Sequence, residues 1–200
     1  MPESIINCSR PEDADVVILG AGYDRTSSFG KGADKGPEAI RACLDSQIEF
    51  WESFSRTSPR DHYRIAYKEL DFNNLSPEDA VSRIKYFYNY FCGLGKFVVL
   101  LGGEHTVSTG ALQAVEGLHL VREVTVLQID AHLDLRDTDA DFNDQPFGKL
   151  SHACVMRRAS EAGFSTVHVG VRAYSKEELE FVANTGSVVS FEWGQSRVPE

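Results

Sequence analysis

The stretch Leu127-Gln128-Ile129-Asp130-Ala131-His132-Leu133-Asp134 decides the fold that we predict for this chain. It continues an apolar run from Val124, which is typical of a buried strand. Three side chains able to bind a metal follow at alternate positions, namely Asp130, His132 and Asp134. Because alternate residues of an extended backbone face the same way, we expect these three to converge just beyond the strand. Two carboxylates and an imidazole suit manganese or another divalent first-row ion.

A second stretch, Phe97-Val98-Val99-Leu100-Leu101-Gly102-Gly103-Glu104-His105, has the same design. Its apolar run ends in two glycines, which allow a tight exit from the strand and close approach to a neighbour. His105 is thereby placed at the strand end. Two such segments, separated by a stretch of helical length, predict neighbouring parallel strands.

Working outward from these stretches, strands alternate with helices along the whole chain. The predicted strands are Asp15–Gly20, Ile65–Leu70 near a sheet edge, Phe97–Leu101, Glu123–Asp130 as the central strand, Thr166–Val171 and Ser187–Phe191. The predicted helices are Pro37–Ile48, Pro77–Cys92 capped by Ser76, Thr106–Val115, Ser151–Ala162 and Lys176–Asn184. Alternation of this kind indicates an α/β fold with a mainly parallel sheet and helices on both faces.

Two loops invite functional readings. Gly20-x-Gly22 follows the first strand, but Arg25 stands where a dinucleotide-binding turn needs its third glycine, so that function is not indicated. The loop 24–35 either lines a substrate pocket or is a plain connector. The loop 135–149 is rich in Asp and Asn and lacks the calcium pattern of an EF-hand; we predict a solvated active-site lid.

Composition narrows the class of protein. The 200 residues suit one domain, and a net charge of −10 argues against a nucleic-acid partner. The sequence has no apolar run of about 20 residues for a membrane span and no secretory signal at its start. Its four cysteines are widely spaced, as is common in a reducing compartment. We therefore predict a cytoplasmic protein with neither membrane nor nucleic-acid binding.

Both strand-end motifs resemble manganese-binding signatures of the ureohydrolases, the family of arginase and agmatinase. The first signature more often reads Gly-Gly-Asp-His, so Glu104 is a departure beside the ligand. Two further segments agree with the family: Gly20–Asp24 followed by Gly36–Arg41, and Ser151–Arg158, which is similar to a segment of the agmatinase branch. The resemblance spans roughly residues 16–172.

This resemblance implies an arginase-like three-layer α/β/α sandwich, formed by residues 1–200 as a single domain whose carboxyl-terminal part is missing. It implies two Mn²⁺ ions per complete active site. His105, Asp130 and Asp134 would hold one ion, and Asp130 with His132 the other. His152 would be the catalytic residue that relays protons. His62 and His119 read as solvent-facing, and His168 as a packed core residue.

The implied activity is hydrolysis of a small cationic guanidino compound to urea and an amine, with agmatine giving putrescine as the first choice. Formiminoglutamate and guanidinobutyrate stay open as substrates, and the resemblance implies a homo-oligomer, either a trimer or a hexamer. The family also carries an S-x-D-x-D-x-x-D segment, which is absent here. A catalytically silent binding or regulatory protein is therefore the alternative. A metal-dependent deacetylase fits the Gly-Gly-Glu-His turn poorly.

Overall fold

The computed structural model describes residues 4–46, 49–118, 121–140 and 148–194. Its strands are β1 Val16–Ala21, β2 Ile65–Glu69, β3 Phe97–Gly102, β4 Thr125–Ile129, β5 Ser165–Val171 and β6 Val188–Glu192. Its helices are α1 Gly36–Ser46, α2 Pro77–Gly93, α3 Val107–Gly117, α4 Val155–Glu161 and α5 Lys176–Asn184. The predicted α/β class is confirmed. The chain divides into two compact units, Met1–Ala111 and Leu112–Glu200.

The first unit is built on a parallel sheet with the strand order β2-β1-β3. β2 lies at an edge, as predicted. The inner strand carries fully buried Val17 and Leu19, and α2 contributes Ile84 and Phe91 to the same core. Because the three strands run in parallel, their carboxyl ends meet at one edge of the sheet.

Helix α2 begins where its sequence predicts. The Ser76 side chain accepts a hydrogen bond from the backbone N–H of Asp79 at 3.1 Å, and Pro77 occupies the first helical position, where a missing N–H costs nothing. After Gly93, Gly95 adopts a positive φ of 71°, a conformation that glycine adopts without strain. Both ends of this helix are therefore determined locally.

The second unit is built on another parallel sheet, with the order β4-β5-β6. β4 lies at the edge of this three-stranded sheet, so the prediction that it is the central strand was wrong for the described residues. β3 and β4 belong to different sheets, so the prediction that they are neighbours was also wrong. The apolar pattern of a strand reports its burial, but the lateral order of strands depends on contacts distant in sequence.

Other boundaries shift by a few residues. The predicted helix Ser151–Ala162 opens as a 3₁₀ turn, His152–Cys154, before α4 begins. The predicted end of the first helix at Ile48, most of the predicted lid (141–147) and His119 lie outside the described residues. Among the residues that are described, no helix combines the length and apolar character needed to cross a membrane.

One face of the second sheet is apolar and open to solvent. Leu127 and Ile129 of β4 are 62% and 79% exposed, and the exposed residues beside them are Val169, Val189 and Phe191. The opposite face packs against α4 and α5 through Val155, Met156, Phe181 and Val182. Parallel sheets are normally covered on both faces. The open face therefore favours association of this chain.

We expect Leu127→Lys to reduce self-association of the 200-residue chain, because it places a charge on the open apolar face. Its free energy of unfolding should change by no more than about 0.5 kcal/mol, as for other surface substitutions. Sedimentation velocity across a range of concentrations measures the effect. Leu179→Lys is the matched control, since Leu179 is 48% exposed on α5, outside this face. Equal association of both variants would contradict the prediction.

Candidate metal centre

The loop after β4 is held by hydrogen bonds to the end of β5. Asp130 donates its backbone N–H to the carbonyl of Val169 at 3.0 Å. The carbonyl of Ala131 accepts from Arg172 at 2.9 Å and from Ala173 at 3.1 Å. β5 carries a bulge here, with Gly170 at a positive φ of 91°, which bends the strand beneath the loop. The loop carrying the predicted ligands is thus fixed by the backbone.

Asp134 has a conformation that strand alternation does not predict. Its φ is 51°, in the left-handed region, so the extended backbone does not continue to this residue. Its carbonyl accepts the backbone N–H groups of Met156 at 3.0 Å and Arg157 at 3.2 Å, which are free donors in the first turn of α4. A carboxylate oxygen of Asp134 nevertheless lies within 4.8 Å of one on Asp130. The two carboxylates are close enough to share a cation.

A buried row of polar side chains orients the Asp134 carboxylate. Gln128 donates its side-chain amide N–H to Asp134 Oδ2 at 2.9 Å, and its amide oxygen faces His168 Nδ1. The other ring nitrogen of His168, Nε2, lies 3.0 Å from Thr166 Oγ1. If Gln128 donates to Asp134, His168 must donate from Nδ1 and accept at Nε2, as a neutral imidazole does. Gln128 and His168 meet because they are paired across the parallel strands β4 and β5.

Burial lowers the pKa of His168 below its ordinary value, although the charges of Asp134, Asp130 and Glu178 oppose this shift. The histidine is therefore a core residue, as its sequence context suggests, and it also supports a predicted ligand. Sequence reasoning missed this role and that of Gln128. The signal in the sequence was the presence of a polar residue within each of two apolar strands, Gln128 in β4 and His168 in β5.

We expect the free energy of unfolding to fall as the pH is lowered through about 6.5. His168 binds a proton there in the unfolded chain, whereas its buried imidazole in the folded chain stays neutral. The stability from this group is present above the unfolded pKa and is lost below it, with a slope of at most about 1.4 kcal/mol per pH unit. Urea denaturation between pH 5 and 8 measures it. His168→Gln should flatten the dependence, whereas His62→Gln, at an exposed position, should leave it in place. An unchanged slope in His168→Gln would refute the assignment.

His132 contacts Asp130 on the exposed side of the loop. Its backbone N–H donates to Asp130 Oδ1 at 2.8 Å, and its Nδ1 lies 3.4 Å from the same oxygen. The imidazole side chain is 63% exposed. The Asp130 carboxylate thus lies beside both the Asp134 carboxylate and the His132 imidazole.

His105 lies in the first unit, just after β3. The two preceding glycines have the predicted role: a Cβ on Gly103 would come closer than 3.0 Å to the backbone of Tyr23, and one on Gly102 would meet the Val107 side chain. Glu104 Oε2 accepts the backbone N–H of Thr106 at 2.9 Å, and the His105 carbonyl accepts that of Ser108 at 3.0 Å. The turn therefore places His105 at the start of α3.

His152 is the first residue of the 3₁₀ turn before α4. It is half-buried, and Ser151 and Cys154 on either side are buried. Ser151 Oγ donates to Cys154 Sγ at 3.3 Å, a hydrogen bond across the turn that does not involve the imidazole.

Glu178 is a further residue that sequence reasoning missed. It is 4% exposed, and its Oε1 accepts the backbone N–H of Leu135, next to Asp134, at 3.0 Å. Its other oxygen accepts from the Ser175 N–H at 2.7 Å in the capping box of α5. The Ser-x-x-Glu spacing in the sequence signals the cap but gives no sign of the link to the loop.

These features define an α/β protein with a candidate divalent-metal centre at the carboxyl ends of parallel strands. The Asp134 carboxylate is oriented by the Gln128 amide, and the Asp130 carboxylate has the His132 imidazole beside it. Carboxylate oxygens with a neighbouring imidazole suit a first-row divalent ion. A sequence model of the arginase family matches residues 14–193. The chain belongs to the arginase family.

Relatives and solved structures agree with this assignment. The N(1)-aminopropylagmatine ureohydrolase of Synechocystis sp. is 36% identical over 175 residues, which are 85% of this chain and 55% of the relative. The agmatinase of Bacillus subtilis is 29% identical, covering 91% and 61% respectively. The chain thus spans little more than half the length of these curated relatives.

The structural comparison shows the same fold. The agmatine ureohydrolase of Thermoplasma volcanium matches with a TM-score of 0.77 at 24% identity, over 96% of this chain and 61% of that one. A formiminoglutamase of Trypanosoma cruzi, determined with Mn²⁺, matches with a TM-score of 0.78 at 21% identity, over 94% and 63%. The predicted arginase-like fold is confirmed.

Proposed function

We propose that this chain forms part of a manganese-dependent hydrolase that converts a guanidino compound into urea and an amine. The observation that carries the proposal is the buried Asp134 carboxylate, oriented by Gln128 within reach of Asp130, in the motif of a family whose relatives are named ureohydrolases. Agmatine is our first choice of substrate. A derivative carrying an aminopropyl group is the second, because several relatives bear that name.

The proposed ligands follow the family pattern. His105, Asp130 and Asp134 would hold one manganese ion, and Asp130 with His132 the other. A bound divalent ion supplies a nucleophile at neutral pH by lowering the pKa of water to about 7. Asp130 suits the shared position, because its carboxylate lies beside both Asp134 and His132. His152 would carry a proton to the departing amine, since an imidazole can both accept and donate a proton.

The family's other aspartate motif is not in this sequence, so we expect the 200-residue chain to hold at most one weakly bound manganese ion and to release negligible urea. The second site would keep only His132 and a shared Asp130, which compete poorly with water. Metal analysis after dialysis, together with a urea assay, measures this. Two tightly retained ions per chain would show that other groups complete the site.

The test of function is urea release with manganese by a protein that contains this chain and the second aspartate motif. The panel comprises agmatine, N(1)-aminopropylagmatine, guanidinobutyrate and arginine, and Asp134→Asn is the inactive reference. Turnover of agmatine or its aminopropyl derivative above the others supports the proposal. No turnover of any compound rejects it in favour of the catalytically silent alternative.

We further propose that the complete protein is a cytoplasmic homo-oligomer.

A further inference from the structure

A cavity of about 810 Å³ lies at the carboxyl ends of β1 and β2, within the first unit. Its volume falls in the range of about 300–1,000 Å³ that is usual for small-molecule sites. The residues that matter for its chemistry are Tyr23, Asp24, Asp34, Glu69, Asp71 and Phe72. None of them belongs to the metal centre proposed above.

The lining is strongly acidic. Four acidic residues and one basic residue, Arg25, are among those that line it, and Arg25 donates from Nη1 to the backbone carbonyl of Leu75 at 3.0 Å. Two of the four, Asp24 and Asp71, accept backbone N–H groups of their own loops, at 2.6 and 2.9 Å. The Asp34 and Glu69 side chains are exposed. The cavity therefore favours a ligand with more than one positive charge.

Two glycines hold the Asp34 and Glu69 segments close to β1. A Cβ on Gly20 would clash with the Tyr67 hydroxyl and the Glu69 carboxylate, and one on Gly22 would clash with the carbonyl of Asp34. Tyr67 also donates a hydrogen bond to Glu69. The Gly20-x-Gly22 pattern thus lets the Glu69 side chain and the Asp34 backbone approach β1 closely.

An aromatic wall completes the cavity. The rings of Tyr23 and Phe72 lie 5.8 Å apart between centroids. Tyr23 is 4% exposed, and its hydroxyl has no hydrogen-bond partner among the described residues. Burial raises the pKa of Tyr23 to about 12, so the phenol stays neutral near pH 7 and its oxygen can accept a hydrogen bond. A buried polar group of this kind calls for a partner, and an ammonium group is a suitable donor.

We propose that this cavity binds a linear aliphatic polyamine, with ammonium groups at Asp34 and Glu69 and methylene groups against Phe72. In the complete enzyme this ligand would be the amine-bearing tail of the substrate, a statement that rests on the proposed guanidino hydrolysis. His105 follows β3 at the same edge of this sheet, and two strand spacings separate β3 from β2, about 10 Å. A polyamine tail is long enough to span that distance.

Equilibrium dialysis of the metal-free 200-residue chain against labelled spermidine, in EDTA, tests the site without turnover. We expect spermidine to bind at least about tenfold more tightly than n-butylamine, which offers one charge. Asp34→Asn with Glu69→Gln should weaken spermidine binding by about tenfold or more. Glu12→Gln with Asp13→Asn removes the same charge before β1, at the opposite edge of the sheet, and should change binding less than about twofold. Equal losses in both double variants would overturn the proposal.

Tyr23→Phe provides a second variant that removes only the partnerless hydroxyl. We expect unchanged unfolding by urea and a roughly threefold to tenfold loss of spermidine affinity; unchanged affinity would exclude the phenol from the site. The urea assay separates the two proposals. A chain that binds spermidine in this way while the complete protein releases no urea rejects the proposed function alone. An active protein with no spermidine preference rejects the polyamine site alone.

Discussion

Replacing His152 by alanine is expected to lower the rate of urea release by about 10²–10⁴-fold, the usual contribution of a general acid–base group. The bound manganese should stay unchanged, because we assign the imidazole to proton transfer. The turn should also stay in place, since Ser151 and Cys154 anchor it through their own contact. The measurement is kcat for agmatine beside metal content, in a form of the protein that carries both aspartate motifs.

His62→Ala is the control for this substitution. His62 is exposed in the first unit and contacts Thr57 through Nε2 at 2.8 Å. Its loss should leave the rate and the metal content unaltered. If His152→Ala instead releases manganese, His152 is a ligand and its proposed role is wrong.

Gly103→Ala is expected to cause the largest loss of stability among the substitutions considered. The new Cβ would lie closer than 3.0 Å to the backbone oxygen, carbonyl carbon and nitrogen of Tyr23, and backbone atoms cannot rotate away as a flexible side chain can. Overpacking typically costs about 1–3 kcal/mol, and we expect the upper part of that range. Because Glu104 donates its N–H to the Tyr23 carbonyl at 2.9 Å, the same shift should displace the turn that carries His105.

Urea denaturation and manganese titration measure the two consequences. Gly93→Ala is the matched control, because a Cβ on Gly93 meets nothing within 4 Å at the end of α2. In a helix that change should be neutral or stabilising by up to about 1 kcal/mol. Wild-type stability in Gly103→Ala would contradict the prediction, because it would show that the backbone segments of Gly103 and Tyr23 can move apart without cost.

The local features of this chain were accessible from its sequence. The apolar runs of β1 and β3 gave their positions to within one or two residues, and Ser76 with Pro77 gave the start of α2. The motifs at the ends of β3 and β4 indicated the family by themselves. Each of these signals lies within a few neighbouring residues, which interact through their own backbone.

The environment of the candidate ligands could not be predicted from neighbouring residues in the sequence. Asp134 adopts the left-handed conformation, in which its carbonyl accepts hydrogen bonds from the first turn of α4. Its carboxylate is oriented by Gln128 from the buried face of the sheet. Sequence reasoning assumed an extended segment through all three ligands and took His168 for packing alone.

The sequence by itself therefore determined the α/β class, the family and the residues proposed to bind metal. Only the tertiary structure decided which strands lie side by side, that Gln128 and His168 meet, and that Gly103 lies against the Tyr23 backbone. The reason is physical. Strand propensity and caps are set by neighbours in the chain, whereas strand order, side-chain pairing and close backbone approach depend on residues far apart in sequence.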